Sequence, residues 1–419
     1  MRYLLQFSRV FVGALFLFSG LVKANDTVGF SYKLMEYWEV FGLHFLTPAS
    51  LFLAAFICVF EVVIGAAILF RWRIKLSAWL LLLMILFFTF LTFYSAYFEK
   101  VTGCGCFGDA IPLTPWQSFT KDVILLVFVL IIFFNKNKLA DENFETRKEE
   151  NILLVIAQLL VSFAAIYQLQ FNQMWIFSFI LLGVSMILKY GLPKNISGHA
   201  LGAWLFLSTC VFCYITYAHL PFRDFRAYAI GKNIPEQMQG IPDVLKYYYN
   251  LKDKKTGEVK EFEKFPENYE LNYDYVDFRT EVITKGNPAK ILDFNIIDTD
   301  GNDVTQDLLN NESYSFLLIS YNLDKTNLDA HLAFNELAGK AQNAGYQVMG
   351  LSASTFSKID EHRHNVQAMF PYFNMDETTL KTIIRSNPGL VILKKGTVVG
   401  QWHYNDFPSF ETLKTEVLK

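Results

Sequence analysis

The first half of the chain alternates long apolar runs with short charged loops; the second half does not. An apolar stretch of about 18 or more residues can cross a bilayer as a helix. Seven stretches meet or approach that length, near residues 4–22, 49–70, 76–98, 115–134, 152–169, 174–188 and 200–220. Thr114 and Pro115 mark the start of the fourth. Threonine caps a helix, and proline suits a first turn that needs no amide donor. The fifth and sixth are joined only by "QFNQ", which predicts a tight antiparallel hairpin. Residues 27–46, "TVGFSYKLMEYWEVFGLHFL", are too polar to span. Their apolar positions recur at helical spacing, which predicts a helix lying in the membrane interface with Tyr37 and Trp38 at headgroup depth.

Past residue 220 the pattern changes. "HLPFRDFRAYAIGKNIPEQMQGIPD" has turn residues and no period, and reads as a linker along the membrane surface. "YYYNLKDKKTGEVKEF" gives two alternating runs around a turn, a hairpin signal within a small β element over 245–285. From Pro288 onward, strands alternate with helices. "ILDFNIID", "YSFLLIS", "YQVMGLSAS" and the pair in "GLVILKKGTVVGQWH" read as strands. "TNLDAHLAFNELAGKAQNAG", "SKIDEHRHNVQAMF" and "SFETLKTEVL" read as helices. That alternation predicts an α/β layer fold. The fold class expected is an α-helical polytopic membrane bundle of about seven transmembrane helices plus a C-terminal α/β domain.

Composition agrees. The chain is 53% hydrophobic and 18% charged, against about a quarter charged in ordinary soluble domains. A net charge of −3 gives no basis for a nucleic-acid partner. The bilayer itself is the expected partner. One set of loops holds Arg2, Arg71, Arg73, Lys75, Lys136, Lys138, Arg147, Lys148, Lys189 and Lys194, and the opposite short loops hold only Lys23, Lys33 and Lys100. The basic set is expected to face the cytoplasm. The N-terminus is then cytoplasmic. The C-terminal domain and the loop "VTGCGCFGDAIPL" lie in the periplasm of a bacterial inner membrane, where disulfides persist.

Two resemblances follow from specific residues. Arg9 and Gly13 in the first run, "FSGLVK" at its end, Glu61 in the second, "CGCFG" and "WQSFTKD" together resemble the DoxX/MauE group of bacterial membrane proteins. The likeness covers roughly residues 1–138, with three further helices over 139–220. It implies a redox neighbourhood and, as electron partner, a quinone. Residues 288–419, after a linker and β element over 221–287, resemble a periplasmic thioredoxin-like domain of the TlpA type. "SNPGLVILKKG" is the best local match, with Pro388 in the place of the cis proline that lines the substrate groove. The CxxC of that family is missing: "YSFLLIS" runs on into "YNLDKTNLDAH", and no cysteine follows Cys213.

Cys104 and Cys106 stand among Gly103, Gly105 and Gly108. A C-x-C ring is strained, and strained disulfides are the labile or catalytic ones. The pair therefore reads either as a reversible dithiol or as a staple in a tight turn. A soft metal ion shared with His44 or His219 is a weaker reading. Cys210 and Cys213 make a CxxC inside the seventh run and give a candidate second dithiol; buried cysteines there also serve as small hydrophobes. Cys58 reads as packing. Glu61 is an acid within a span, a functional candidate by default, and Arg9 is its expected ion-pair partner. Lys121 and Asp122 fall near the periplasmic end of the fourth span, beside the C-x-C loop. His362 and His364 read as surface residues. The function expected is thiol–disulfide work or electron transfer at the periplasmic face. The alternative is a binding or assembly protein whose thioredoxin-like domain docks a periplasmic or membrane client.

Overall fold

The computed structural model describes residues 1–101, 107–286 and 288–418. Among them, seven helices are long and apolar enough to cross a membrane: Arg2–Asn25, His44–Leu69, Ile74–Phe98, Pro115–Phe134, Arg147–Gln168, Asn172–Gly191 and Lys194–Ala218. They are called spans 1 to 7 below. Local chemistry sets their starts. The Thr114 hydroxyl accepts from the Gln117 amide while the Gln117 side chain accepts from the Thr114 amide, and Thr146 and Glu149 repeat this capping box at span 5. Thr27–Val40 forms a separate helix between spans 1 and 2.

Span 1 is the hub, buried along most of its length. It lies against span 2 with glycine at each closest approach. A methyl group on Gly65 would come within 2.7 Å of the Leu17 backbone nitrogen, and one on Gly20 within 2.9 Å of the Val62 nitrogen. Small residues let membrane helices pack backbone to backbone. They also fix the register: Gly13 faces Gly65 and Leu69, while Gly20 faces Glu61 and Val62. With seven spans, the Thr27–Val40 helix, the loop between spans 3 and 4, and the C-terminal domain share one end of the bundle.

Residues 244–284 form a three-stranded antiparallel sheet in the order β2-β1-β3, with β1 Val244–Asp253, β2 Val259–Phe262 and β3 Tyr273–Thr284. The C-terminal domain is a five-stranded mixed sheet, β4 Tyr314–Ile319, β5 Gln347–Ser352, β6 Tyr372–Asn374, β7 Gly389–Lys394 and β8 Thr397–His403. Its order is β6-β5-β4-β7-β8. β4, β5 and β6 run parallel, and β7 and β8 pair antiparallel onto β4. Helices Leu328–Asn343 and Phe410–Glu416 pack with one layer of apolar side chains, and Glu377–Ile383 with another. This is the thioredoxin-like α/β arrangement, and the Asn387–Pro388 peptide is cis.

Three expectations need correction. "ILDFNIID" is not a ladder strand; only Ile297 makes bridges, to Asp303 and Asn374. Ile291, Phe294 and Ile296 are buried as a strand's would be, but the backbone amides bond elsewhere, Lys290 and Ile291 to the Gln237 carbonyl. The stretch after span 7 is not a free linker. Gly231 and Ile234 donate to the Val398 and Gly396 carbonyls, and Val398 donates to Lys232, so the stretch is tied to β8. His362 is buried edge-on against His331, with ring centroids 5.0 Å apart; only His364 is exposed.

A candidate site between the bundle and the α/β domain

The end of the bundle that meets the C-terminal domain encloses a cavity of about 770 Å³. Span 1 and the Thr27–Val40 helix supply Lys23, Asp26 and Tyr32. The segment 107–113 forms a second wall, and Arg223 to Tyr228 with Thr378 to Arg385 close the third. Asp26 organises the join. Its carboxylate caps the Thr27–Val40 helix by accepting from the Gly29 amide at 2.8 Å, and it accepts from Arg385 Nε at 3.0 and 3.1 Å. Burial acts to raise the Asp26 carboxyl, but the Arg385 and Arg226 guanidinium groups and the Gly29 amide outweigh it and hold the group below the usual carboxylate range. Tyr32 and Tyr321 meet hydroxyl to hydroxyl at 3.4 Å. Tyr321 directly follows β4 and Ser320, where a thioredoxin would begin its CxxC segment. Asn387, next to buried Pro388, holds the same segment through the Asn322 carbonyl at 2.8 Å. The end of the α/β domain that carries Tyr321 and Arg385 thus faces the bundle.

Cys104 and Cys106 lie outside the described residues. The described chain resumes at Phe107, which is buried with its ring 5.7 Å from that of Phe18 and under the Lys121 ammonium at 5.4 Å. Asp109 lines the cavity, and the protein around it strips away water and lifts its carboxyl above the usual range. Ser118, fully buried at the start of span 4, also lines the cavity, and its hydroxyl makes no hydrogen bond.

Beneath the cavity the spans carry paired charges. The expected Arg9–Glu61 pair does not form. The glycine register sets Glu61 level with Gly20, and Arg9 lies 11 residues away on span 1, about 16 Å by helix rise. Glu61 instead pairs with Lys23, which also bonds Ser19 at 3.0 Å. Arg9 pairs with Glu145 at 2.8 Å and donates to the Leu69 carbonyl at the opposite end of the bundle. Lys121 and Asp122 are paired, and Thr92 donates to Asp122 at 3.1 Å. Glu61, Lys23, Lys121 and Asp122 surround one small void of about 20 Å³. Because Lys23 lines both, this polar cluster adjoins the large cavity.

Cys213 does not stand with Cys210 alone. Cys58 on span 2 and Cys213 on span 7 are buried in one apolar cluster, and partly buried Cys210 packs against it. No group of three His, Cys, Asp or Glu among the described residues could hold a metal ion. Sequence reasoning missed Lys23, Asp26, Glu145 and Arg385. Asp26 carried a readable signal, an aspartate just before a helix. Arg385 carried none, because its partner lies in the other half of the chain.

Residues 1–135 match the family described as Methylamine utilisation protein MauE. Over 146 residues, 34% of this chain, the sequence is 27% identical to Protein TlpB of Flavobacterium psychrophilum, and the match spans 39% of that relative's length. The solution structure of a putative protein disulfide isomerase from Bacteroides thetaiotaomicron aligns over 30% of this chain and 86% of its own, at 18% identity and a TM-score of 0.25. This membrane protein is thus similar to MauE across its first four spans, and the strand order of its C-terminal α/β domain is thioredoxin-like.

Proposed function

We propose that the protein performs thiol–disulfide exchange at the periplasmic face of a bacterial inner membrane, with Cys104 and Cys106 as the exchanging pair. The N-terminus is cytoplasmic and residues 221–419 are periplasmic in this reading. The observation that carries it is the cavity of about 770 Å³ whose wall begins at Phe107, one residue after Cys106. Lys23, Lys121 and Arg385 lie around that wall, and cations favour the thiolate that exchange requires. The α/β domain has no thiol of its own, so it acts as a cover that excludes bulk water from the cavity. A membrane quinone is the electron partner in this reading, as the sequence resemblance to the DoxX/MauE group implies. The alternative binding or assembly role is less well supported, because the end of the domain that carries Tyr321 and Arg385 is held against its own bundle by Asp26–Arg385 and Tyr32–Tyr321.

Replacing one cysteine of an exchanging pair leaves the other to stall as a mixed disulfide. Full-length Cys104→Ser and Cys106→Ser proteins, taken from native membranes after acid quenching, are expected to carry a reductant-sensitive adduct in at least one case. An absence of adducts in both, with both proteins folded and inserted, would refute the exchange reading.

A further inference from the structure

Strand β3 has a neighbour on one side only. Its ladder runs to β1, and its outer edge makes no backbone hydrogen bond to any described residue. Every residue of the strand after Tyr273 is exposed. An open strand edge is a row of amide and carbonyl groups that another strand can join, whereas a lipid surface would leave them unbonded. Proline and lysine commonly blunt such edges, and residues 273–284 hold neither. The opposite edge of the sheet is β2, only four residues long.

The register gives this sheet two unlike faces. On one, Tyr249 stands opposite Phe278, Tyr247 opposite Thr280 and Leu245 opposite Val282. The Tyr247 and Phe278 rings lie 6.0 Å apart, yet Phe278 and Val282 are 53% and 50% exposed. The other face is charged. Arg279 gives its Nε and Nη2 to Glu261, which leaves Nη1 without a partner among the described residues. Glu281 makes no hydrogen bond or ion pair there, because Lys246 opposite it is paired with Glu263. Register shifts leave Val276 and Ile283 as bulges, so the regular part of the edge is residues 277–282.

We propose that a second copy of this chain occupies that edge, β3 against β3 and antiparallel, about a twofold axis at Thr280. Side-chain chemistry selects the register. Centred on Thr280, the pairing sets Arg279 of each copy opposite Glu281 of the other, and Phe278 opposite Val282. All of residues 278–282 then lie inside the regular stretch. Centred on Arg279, it would set arginine against arginine and Asp277 against Glu281, which is destabilising. Centred on Phe278, it would run Thr280 into the Val276 bulge. The Thr280 register also brings the unpaired Arg279 Nη1 and the unpaired Glu281 carboxylate together twice. The pairing uses the long edge of each copy and leaves only the short β2 edges outside, so it closes as a dimer.

The test uses full-length protein in native membranes. Thr280 lies on the axis, with its Cβ about 5 Å from that of the second copy. Oxidising Thr280→Cys with copper phenanthroline is expected to yield a peptide linked to itself through residue 280, identified by mass spectrometry. Asp277→Cys places the two sulfurs about 20 Å apart and should link at least about tenfold less. No self-linked peptide from Thr280→Cys, or equal linking by Asp277→Cys, would overturn the proposal. So would slow amide exchange over 277–282 without the self-link, which would give the edge to a different strand. A charge exchange gives an independent readout, with copies counted by single-molecule photobleaching in liposomes. Glu281→Arg and Arg279→Glu are each expected to weaken association about tenfold, by setting like charges opposite each other. Mixed together, the two variants should pair with each other at wild-type strength, because every facing charge is then opposite. A mixture that stays monomeric, or a wild-type protein that is monomeric, would overturn the proposal.

Discussion

Arg385 Nε sits 3.0 Å from Asp26 Oδ2, although 359 residues separate the two in the chain. One belongs to the α/β domain and the other ends span 1, so this bond joins the two halves of the protein. Their side chains are 7% and 23% exposed, which places the pair well away from bulk solvent. Truncating Arg385 to alanine leaves the Asp26 carboxylate without its main partner. The expected loss is about 1.5–3 kcal/mol of docking free energy, the usual worth of a hydrogen bond to a charged group. Hydrogen exchange at Thr27–Val40 and at Tyr321–Asn327 should rise together in Arg385→Ala and in Asp26→Asn. Unchanged protection at both segments would show that other contacts hold the domain.

The revised charge pairing is testable by double-mutant cycles. Arg9 and Glu145 are 1% and 0% exposed, and removing one partner of such a pair leaves a buried charge, at a cost of about 3–5 kcal/mol. Glu145→Gln is expected to lower the thermal midpoint in nanodiscs sharply. Arg9→Met combined with Glu145→Gln should recover much of it. The same cycle between Arg9 and Glu61 should show no coupling, since the glycine register keeps them on different levels.

Gly65 tests that register directly. Its missing Cβ would meet backbone atoms of span 1, Leu17 N at 2.7 Å and Gly13 O at 2.8 Å. Backbone cannot step aside as a side-chain tip can. Gly65→Val is expected to destabilise the bundle by about 1–3 kcal/mol, whereas Gly183→Ala, which has nothing within 4 Å of the added methyl, should be close to neutral. Thermal unfolding of the two variants in one lipid composition decides this.

Acid should weaken the α/β domain well before its carboxylates titrate. Burial, helped by neighbouring His362, lowers the His331 pKa from 6.5 to about 4, and His331 is fully buried. The unfolded chain takes up that proton near pH 6.5 and the folded chain does not. Stability is therefore complete above pH 6.5 and is lost as the pH falls toward 4, by about 3 kcal/mol for this one group. Asp26 works lower: its depressed carboxyl stabilises above its unfolded value near 3.8 and is lost only below it. Chemical denaturation at pH 7.5, 6 and 4.5 should follow the histidine window. His331→Asn should be less stable at pH 7.5 but flatter across the range.

The elements that sequence predicts well are those whose pattern is local. The spans show as unbroken apolar runs, and the Thr114–Pro115 start shows as a cap. The paired strands around Lys395 and Gly396 show as alternation about a turn. What it misses depends on partners far along the chain. "ILDFNIID" has a strand's pattern because its apolar side chains are buried, yet the neighbour that would complete a ladder is absent over most of its length. His362 looks like a surface residue until His331 and Tyr372 pack around it. Arg9 and Glu61 are each noticed as buried charges, but only the Gly13–Gly65 contact shows that they cannot meet.

The central claim is that Cys104 and Cys106 change oxidation state as the protein works. The most direct measurement is quantitative thiol trapping of these two residues, by mass spectrometry of full-length protein in membranes equilibrated across dithiol redox buffers. The account predicts one two-electron transition for the pair within roughly −120 to −300 mV, the range of exchanging protein disulfides. A pair locked in a single state across that whole range, in protein shown to be folded and inserted, would contradict it.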